Sequence, residues 1–161
     1  MNRRTFIYRS LGLIGLAYYP LTGAYGHHGA LTPLALDESE WRTRLTPQQF
    51  HIMRRAGTEA PWSSPLNEEK RAGTYHCAGC NLALFSSTAK YDSGTGWPSF
   101  YESIPDHVQT KIDFKLIYPR TEYHCAQCAS HQGHVFNDGP EPTGKRWCNN
   151  GLALLFTANP S

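Results

Sequence analysis

The cleanest alternation in the chain covers residues 111–118, where Ile112, Phe114, Leu116 and Tyr118 alternate with Lys111, Asp113 and Lys115. A period of two predicts a strand whose apolar side is buried against a core. Shorter strand candidates are 75–77, 83–85, 122–124 and 146–156, separated by turn clusters at 92–96, 137–140 and 142–144. One helix is specified by its ends. Thr46 and Gln49 form a capping box, Pro47 takes the first helical position, and Leu45 can staple onto Phe50. Gly57 closes the segment after Arg54 and Arg55, so the helix is expected over 47–56. Residues 58–71, with Pro61, Ser63, Ser64 and Pro65, show no period and read as a surface excursion.

The first thirty residues differ in kind. Asn2-Arg3-Arg4-Thr5-Phe6-Ile7 precedes a weakly apolar run at 11–19, spaced by Gly12 and Gly15 and ended by Pro20. This layout resembles a twin-arginine export signal, although Asn2 and Tyr8 depart from its usual residues. The run is shorter than the roughly 20 apolar residues that cross a bilayer, so no stable membrane insertion is expected. Thr22-Gly23-Ala24 and Ala24-Tyr25-Gly26 both offer small residues for cleavage. The expected organisation is an export signal and short leader at 1–30, one domain at 31–161, and a periplasmic destination.

Composition adds fold class and removes one partner class. Fourteen glycines and eleven prolines, together with many aromatic residues, favour short strands joined by turns, hence a mainly β domain. A formal charge of +2 and a charged fraction of 17% supply no basic stripe of the kind that binds nucleic acid.

Four of the five cysteines form two Cys-x-x-Cys pairs, Cys77/Cys80 and Cys125/Cys128. That spacing lets two turns grip one tetrahedral zinc, and four thiolates leave no open position for water, so the expected metal is structural. A redox dithiol is the competing reading. Such motifs ordinarily open a helix after a strand, whereas Ala78-Gly79 and Ala126-Gln127 have β-turn surroundings.

Cys148 has no partner cysteine nearby in sequence. On a strand Arg146, Cys148 and Asn150 share one face while Trp147 and Asn149 take the other. A fixed cation on the cysteine's own face favours thiolate, and Asn150 could orient the attacked group. An inert core cysteine is the alternative. His131 and His134 would face opposite ways on a flat strand. Bringing both to one site, with Asp138 to help pass a proton, needs a bulge or turn that Gly133 permits. A metal site is the other reading of that pair. Trp97, between Gly96 and Pro98, is either a fixed apolar plate suited to a small methyl group or a core residue.

Together these segments resemble the B-type peptide methionine sulfoxide reductases, a class of enzyme that reverses methionine oxidation. The likeness rests on motifs in order: Gly57-Thr58-Glu59; Cys77-x-x-Cys80; Ser93-Gly94-Thr95-Gly96-Trp97-Pro98-Ser99-Phe100; Arg120-Thr121-Glu122; Cys125-x-x-Cys128; His131-x-Gly133-His134-Val135-Phe136-x-Asp138-Gly139-Pro140; and Pro142-Thr143-Gly144-x-Arg146-x-Cys148. The resemblance implies two antiparallel sheets with short N-terminal helices, a structural zinc remote from the active site, and reduction of the R epimer of methionine sulfoxide in proteins or peptides. It makes Cys148 the nucleophile and Arg146 the charge that stabilises its thiolate. His131, His134, Asp138 and Asn150 would form the polar side of the pocket, with Trp97, Phe100 and Phe136 against the substrate.

Many relatives carry a resolving cysteine where Thr95 stands. Regeneration is therefore expected to use an external thiol, thioredoxin-like or otherwise, acting on a Cys148 sulfenic acid. Smaller departures are Gln132, Trp147 and Asn149, of which Gln132 lies beside the histidines in sequence and so bears on substrate preference. A fusion of residues 1–30 to a reporter should be exported, and changing Arg3 and Arg4 to Lys should abolish export. Retention of the unaltered fusion in the cytosol would refute the leader reading.

Overall fold

The computed structural model describes residues 31–160, so the leader lies outside the described residues. Two helices come first, α1 (Glu38–Arg44) and α2 (Pro47–Arg55), each opened by a complete capping box, Asp37 with Glu40 and Thr46 with Gln49. Reciprocal capping satisfies donors that a helix start otherwise leaves open, which suits helices of only two turns or so. The left-handed residue ending α2 is Ala56, at φ 49°, one position before the glycine the sequence suggested. Gly57 instead bonds back to the carbonyls of His51 and Ile52, at 3.1 and 3.2 Å.

Nine strands follow: β1 (Gly73–Cys77), β2 (Ala83–Ser86), β3 (Lys90–Tyr91), β4 (Ser99–Phe100), β5 (Val108–Asp113), β6 (Arg120–Cys125), β7 (His131–Phe136), β8 (Arg146–Asn149) and β9 (Leu154–Ala158). They form a three-stranded sheet, β2-β1-β9, and a six-stranded sheet, β3-β4-β8-β7-β6-β5, with antiparallel neighbours throughout. Aromatic side chains from both sheets make the core. Phe85 stacks on Phe100 at 4.2 Å between ring centroids, Tyr75 meets Phe100 edge-on at 4.9 Å, and Tyr123 meets Trp147 at 4.9 Å. Edge-on and offset pairs of this kind add to the burial of apolar area. Among the described residues no helix is long and apolar enough to cross a membrane.

Three expectations are corrected. The segment 146–156 is two strands in different sheets, because a 3-10 turn at Gly151–Ala153 carries the chain from β8 across to β9. The alternating segment 111–118 stays a strand only as far as Asp113. Its apolar members face solvent: Ile112 is 64% exposed, Phe114 74%, Leu116 46% and Tyr118 63%. β5 is an edge strand of the large sheet, and the buried member of the alternation is Asp113, drawn inward by Arg120 and His134.

The segment 58–71 is no simple surface excursion either. Glu59 is buried, and its carboxylate accepts from the backbone N–H groups of Gly151 and, at 3.0 Å, Leu152. Its own N–H donates to Asn150 Oδ1 at 3.0 Å. One side chain thus satisfies the donors of the turn that links the two sheets. Replacing Glu59 with Ala should cost about 3 kcal/mol by stranding those N–H groups. The loss should appear as a lower urea midpoint, and an unchanged midpoint would refute this role.

Candidate active site

Each Cys-x-x-Cys pair begins on the last residue of a strand, β1 or β6, and turns through a residue with left-handed backbone, Asn81 (φ 64°) or Ala129 (φ 55°). The two turns share a hydrogen-bond pattern. Asn81 N–H donates to Cys77 O at 2.8 Å, as Ala129 does to Cys125 O at 2.9 Å, and the N–H groups of Cys77 and Cys125 donate to Leu82 O and Ser130 O. All four sulfur atoms fall within 4.8 Å of one another, close enough for a single ion to be held by all of them. Cys77 Sγ also accepts from Gln132 Nε2 at 3.4 Å.

The other chemistry lies on one face of the large sheet. Cross-strand partners point to the same face, and register places Lys111, Glu122, His134, Cys148 and Ser99 in a row across β5, β6, β7, β8 and β4. A step of two along the strands adds the neighbouring rung, with Asp113 paired to Arg120 and Phe136 to Arg146. His131 joins this face through a bulge. His131 pairs with His124 and Gly133 with Tyr123, which leaves Gln132 as the extra residue on β7 and brings the two imidazoles to 5.5 Å. The sequence required such an irregularity but located its cause at Gly133. Gly133 has another duty: a Cβ there would run into the carbonyl oxygen of Cys148.

A pocket of about 120 Å³ opens at Cys148, bounded by Thr58, Trp97, Arg120, His134 and Phe136 among others. It is smaller than the roughly 300–1,000 Å³ that encloses a drug-sized ligand, so it suits the end of one side chain. A larger cavity of about 1,020 Å³, between α2, residues 58–71 and β9, is lined by no cysteine. Trp97 is held in place by its indole N–H, which donates to Glu59 O at 3.2 Å.

The charges around the pocket are fixed in pairs. His134 Nε2 is 2.8 Å from Asp113 Oδ2, which also accepts from Arg120 at 2.7 Å. A backbone N–H from Lys115 together with His134 and Arg120 keeps Asp113 well below the usual carboxylate range, so it accepts only, and Nε2 carries the imidazole proton. His131 Nδ1 lies 2.9 Å from Glu122 Oε1, while its Nε2 is buried without a protein partner. Burial pushes both histidines below their ordinary value, with the carboxylates opposing, so both rings are neutral near pH 7. Burial also raises the Cys148 thiol. The charge of Arg146 and hydrogen bonds from Thr95 and Arg146 pull it down without overcoming that rise. The Arg146 cation favours the thiolate, but burial outweighs it and the thiol lies above its ordinary value.

Cys148, Trp97, His134 and Phe136 are therefore gathered at one pocket, with His131 beside His134. The other candidates have different settings. Phe100 is fully buried in the aromatic core and does not line the pocket. Asp138, with its side chain 61% exposed, grips Arg146 through two bonds of 2.9 and 2.8 Å and so acts from the solvent side. Arg146 also covers the Phe136 ring at 4.3 Å. Asn150 borders the pocket, but its amide is engaged by Glu59 N–H and Gln132 O, which makes it a strap between elements.

Asn149 and Trp147 face the core, as strand alternation required, and Tyr123 donates to Asn149 Oδ1 at 2.6 Å. Gln132 points at the cysteine cluster, away from the pocket, which removes it from questions of substrate preference. Sequence reasoning missed Asp113 and the roles of Arg120, Glu122 and Glu59. The last three stand in motifs already noted; Asp113 was hidden as the polar member of an apolar alternation.

Comparison with known proteins gives the family. Residues 45–158 match the SelR domain family. A peptide methionine sulfoxide reductase MsrB from Leifsonia xyli is 52% identical over 125 residues, covering 76% of this chain and 90% of that protein. The chloroplastic peptide methionine sulfoxide reductase B1 of Arabidopsis thaliana is 50% identical over 77% of this chain, which spans 62% of that longer protein. The mitochondrial methionine-R-sulfoxide reductase B2 of Rattus norvegicus is 47% identical, covering 81% of each chain. With the matched segment extending from before α2 into β9, the chain belongs to the SelR-domain family of B-type methionine sulfoxide reductases.

Proposed function

We propose that this protein reduces the R epimer of methionine sulfoxide in oxidised proteins and peptides to methionine. The carrying observation is a cysteine at the base of a pocket sized for one side-chain end, opposite His134 and between Trp97 and Phe136, in a chain of this family. The substrate methyl lies against the aromatic wall and the sulfoxide oxygen faces the imidazoles. Neutral His134, held by Asp113, and the open Nε2 of His131 give the thiol proton somewhere to go as the sulfur attacks.

The step balances without an outside proton. Cys148–SH and R–S(=O)–CH₃ yield Cys148–SOH and R–S–CH₃. The cysteine sulfur loses two electrons, the sulfoxide sulfur gains two, and the thiol proton ends on the transferred oxygen. Arg146 supports negative charge on Cys148 while the proton is in transit, and Asp138 keeps it in place.

Regeneration uses two equivalents of an external thiol, thioredoxin-like or otherwise: Cys148–SOH and two R′SH give Cys148–SH, R′S–SR′ and water, through a mixed disulfide. Two observations support this. Thr95, with no thiol to offer, stands beside Cys148 together with Arg146, and the other four cysteines are clustered with one another. Cys77, Cys80, Cys125 and Cys128 fit one zinc, which would brace the two knuckles and has no place in the reaction. The twin-arginine-like leader supports export to the periplasm. That route carries folded protein, so the thiolates can bind metal before leaving a reducing compartment.

Without added reductant, the purified protein should form about one methionine per chain from an R-sulfoxide peptide and stop, because one cysteine supplies one turnover. Mass spectrometry should then find sulfenic acid or its adduct on Cys148, and a disulfide within the chain would refute the one-cysteine cycle. Cys148→Ser should lower turnover by more than about 10⁴-fold. Metal analysis should return about one zinc per chain, and chelation should unfold the protein as followed by circular dichroism. A metal-free protein that keeps its fold would overturn the structural role.

A further inference from the structure

Among the described residues seven large apolar side chains are exposed, and five of them, Ile112, Phe114, Leu116, Ile117 and Tyr118, lie in the hairpin between β5 and β6. The usual rule of a sheet is reversed here. Asp113 is 7% exposed while Ile112 and Phe114 on either side of it are open to water. A contiguous apolar patch on a soluble surface ordinarily marks contact with something else.

The hairpin is anchored at both ends, and its base is anchored at the active site. Its base is closed by the Asp113–Arg120 ion pair at 2.7 Å; Asp113 supports His134 and Arg120 lines the pocket. Its tip is fastened where Lys115 Nζ donates to the carbonyls of Arg55 and Ala56, at 3.2 and 3.1 Å, the end of α2 where a cation is favoured. Polar side chains point inward to anchors, so the apolar ones are displayed on the outside of a hairpin whose base adjoins the pocket at Arg120. The pocket admits little more than the sulfoxide itself, and affinity for a polypeptide must therefore come from outside it.

We infer that the hairpin tip, Phe114 with Leu116, Ile117 and Tyr118, is the docking surface for the apolar, unfolded polypeptide that flanks the oxidised methionine. This rests on the proposed reductase activity and names what selects its protein substrates. A polypeptide fits better than a second copy or a lipid surface, because Arg120 both lines the pocket and closes the base of the hairpin, and a sulfoxide in that pocket must trail its own chain past it.

The test compares the full-length, metal-loaded protein with the Phe114→Ser/Ile117→Ser double variant, neither position touching the pocket. Substrates are free N-acetyl-methionine-R-sulfoxide and peroxide-oxidised, urea-unfolded β-casein. The variant should lose about tenfold in kcat/KM on the casein, through KM, and stay within about twofold on the free sulfoxide. Equal loss on both substrates, or no loss on casein, overturns the inference. Concentration-dependent dimerisation or binding to anionic lipid vesicles that the variant abolishes, with casein kinetics unchanged, overturns it in favour of another occupant. Anisotropy of a fluorescent apolar sulfoxide peptide supplies an independent reading: if the unaltered protein turned over neither substrate, the reductase reading would fail, while weaker peptide binding by the variant would still support the docking surface.

Discussion

The site depends on how β7 lies against β8. The two strands come so close at Gly133 that the carbonyl of Cys148 occupies the space a side chain would need, and this approach sets His134 directly opposite the thiol. One residue earlier the bulge at Gln132 breaks strict alternation and adds His131 to the same face. A register slip of one residue would send the imidazoles to the aromatic core and bring core residues to the pocket. The extra residue is secured on both sides. The Gln132 carbonyl accepts from the backbone and side chain of Asn150, and its side chain donates to Cys77 Sγ. The cysteine cluster and the pocket are thereby tied to the same short stretch of β7.

Burial governs the resting protonation of the pocket. It favours the neutral form of every group it covers, so it keeps the proton on Cys148 and off His131 and His134. Full charges stand in matched pairs, Asp113 with Arg120, Glu122 with Lys111 and Asp138 with Arg146. Asp113 is the economical element here, since one carboxylate aligns His134, fixes Arg120 and closes the hairpin that displays the apolar patch.

Away from the reaction, Glu59 has a comparable part in the fold. Its carboxylate caps the turn where the chain leaves one sheet for the other, and its backbone carbonyl holds the Trp97 indole. The aromatic wall of the pocket and the crossover between sheets share a single anchor, so the motif Gly57-Thr58-Glu59 has a physical reason to exist although it contributes nothing to the chemistry directly.

Much of this was legible in the residues themselves. Two Cys-x-x-Cys turns, a capping box at Thr46, the isolated Cys148 with Arg146 two positions away and the plate at Trp97 are local patterns, and local geometry realises each of them in place. The sequence alone singled out Cys148, Trp97, His134 and Phe136, which the fold gathers at one pocket, and showed that His131 and His134 could meet only through an irregular strand. Tertiary structure decided what each residue faces. It put Phe100 in the core, moved Asp138 to the solvent side of Arg146, split 146–156 between two sheets and turned the apolar side of 112–118 outward. Alternation reports only that neighbours point to opposite sides; which side is dry depends on what lies across from the strand. At the edge of this sheet the inward place went to Asp113, because Arg120 on the paired strand and His134 on the strand beyond were there to receive it.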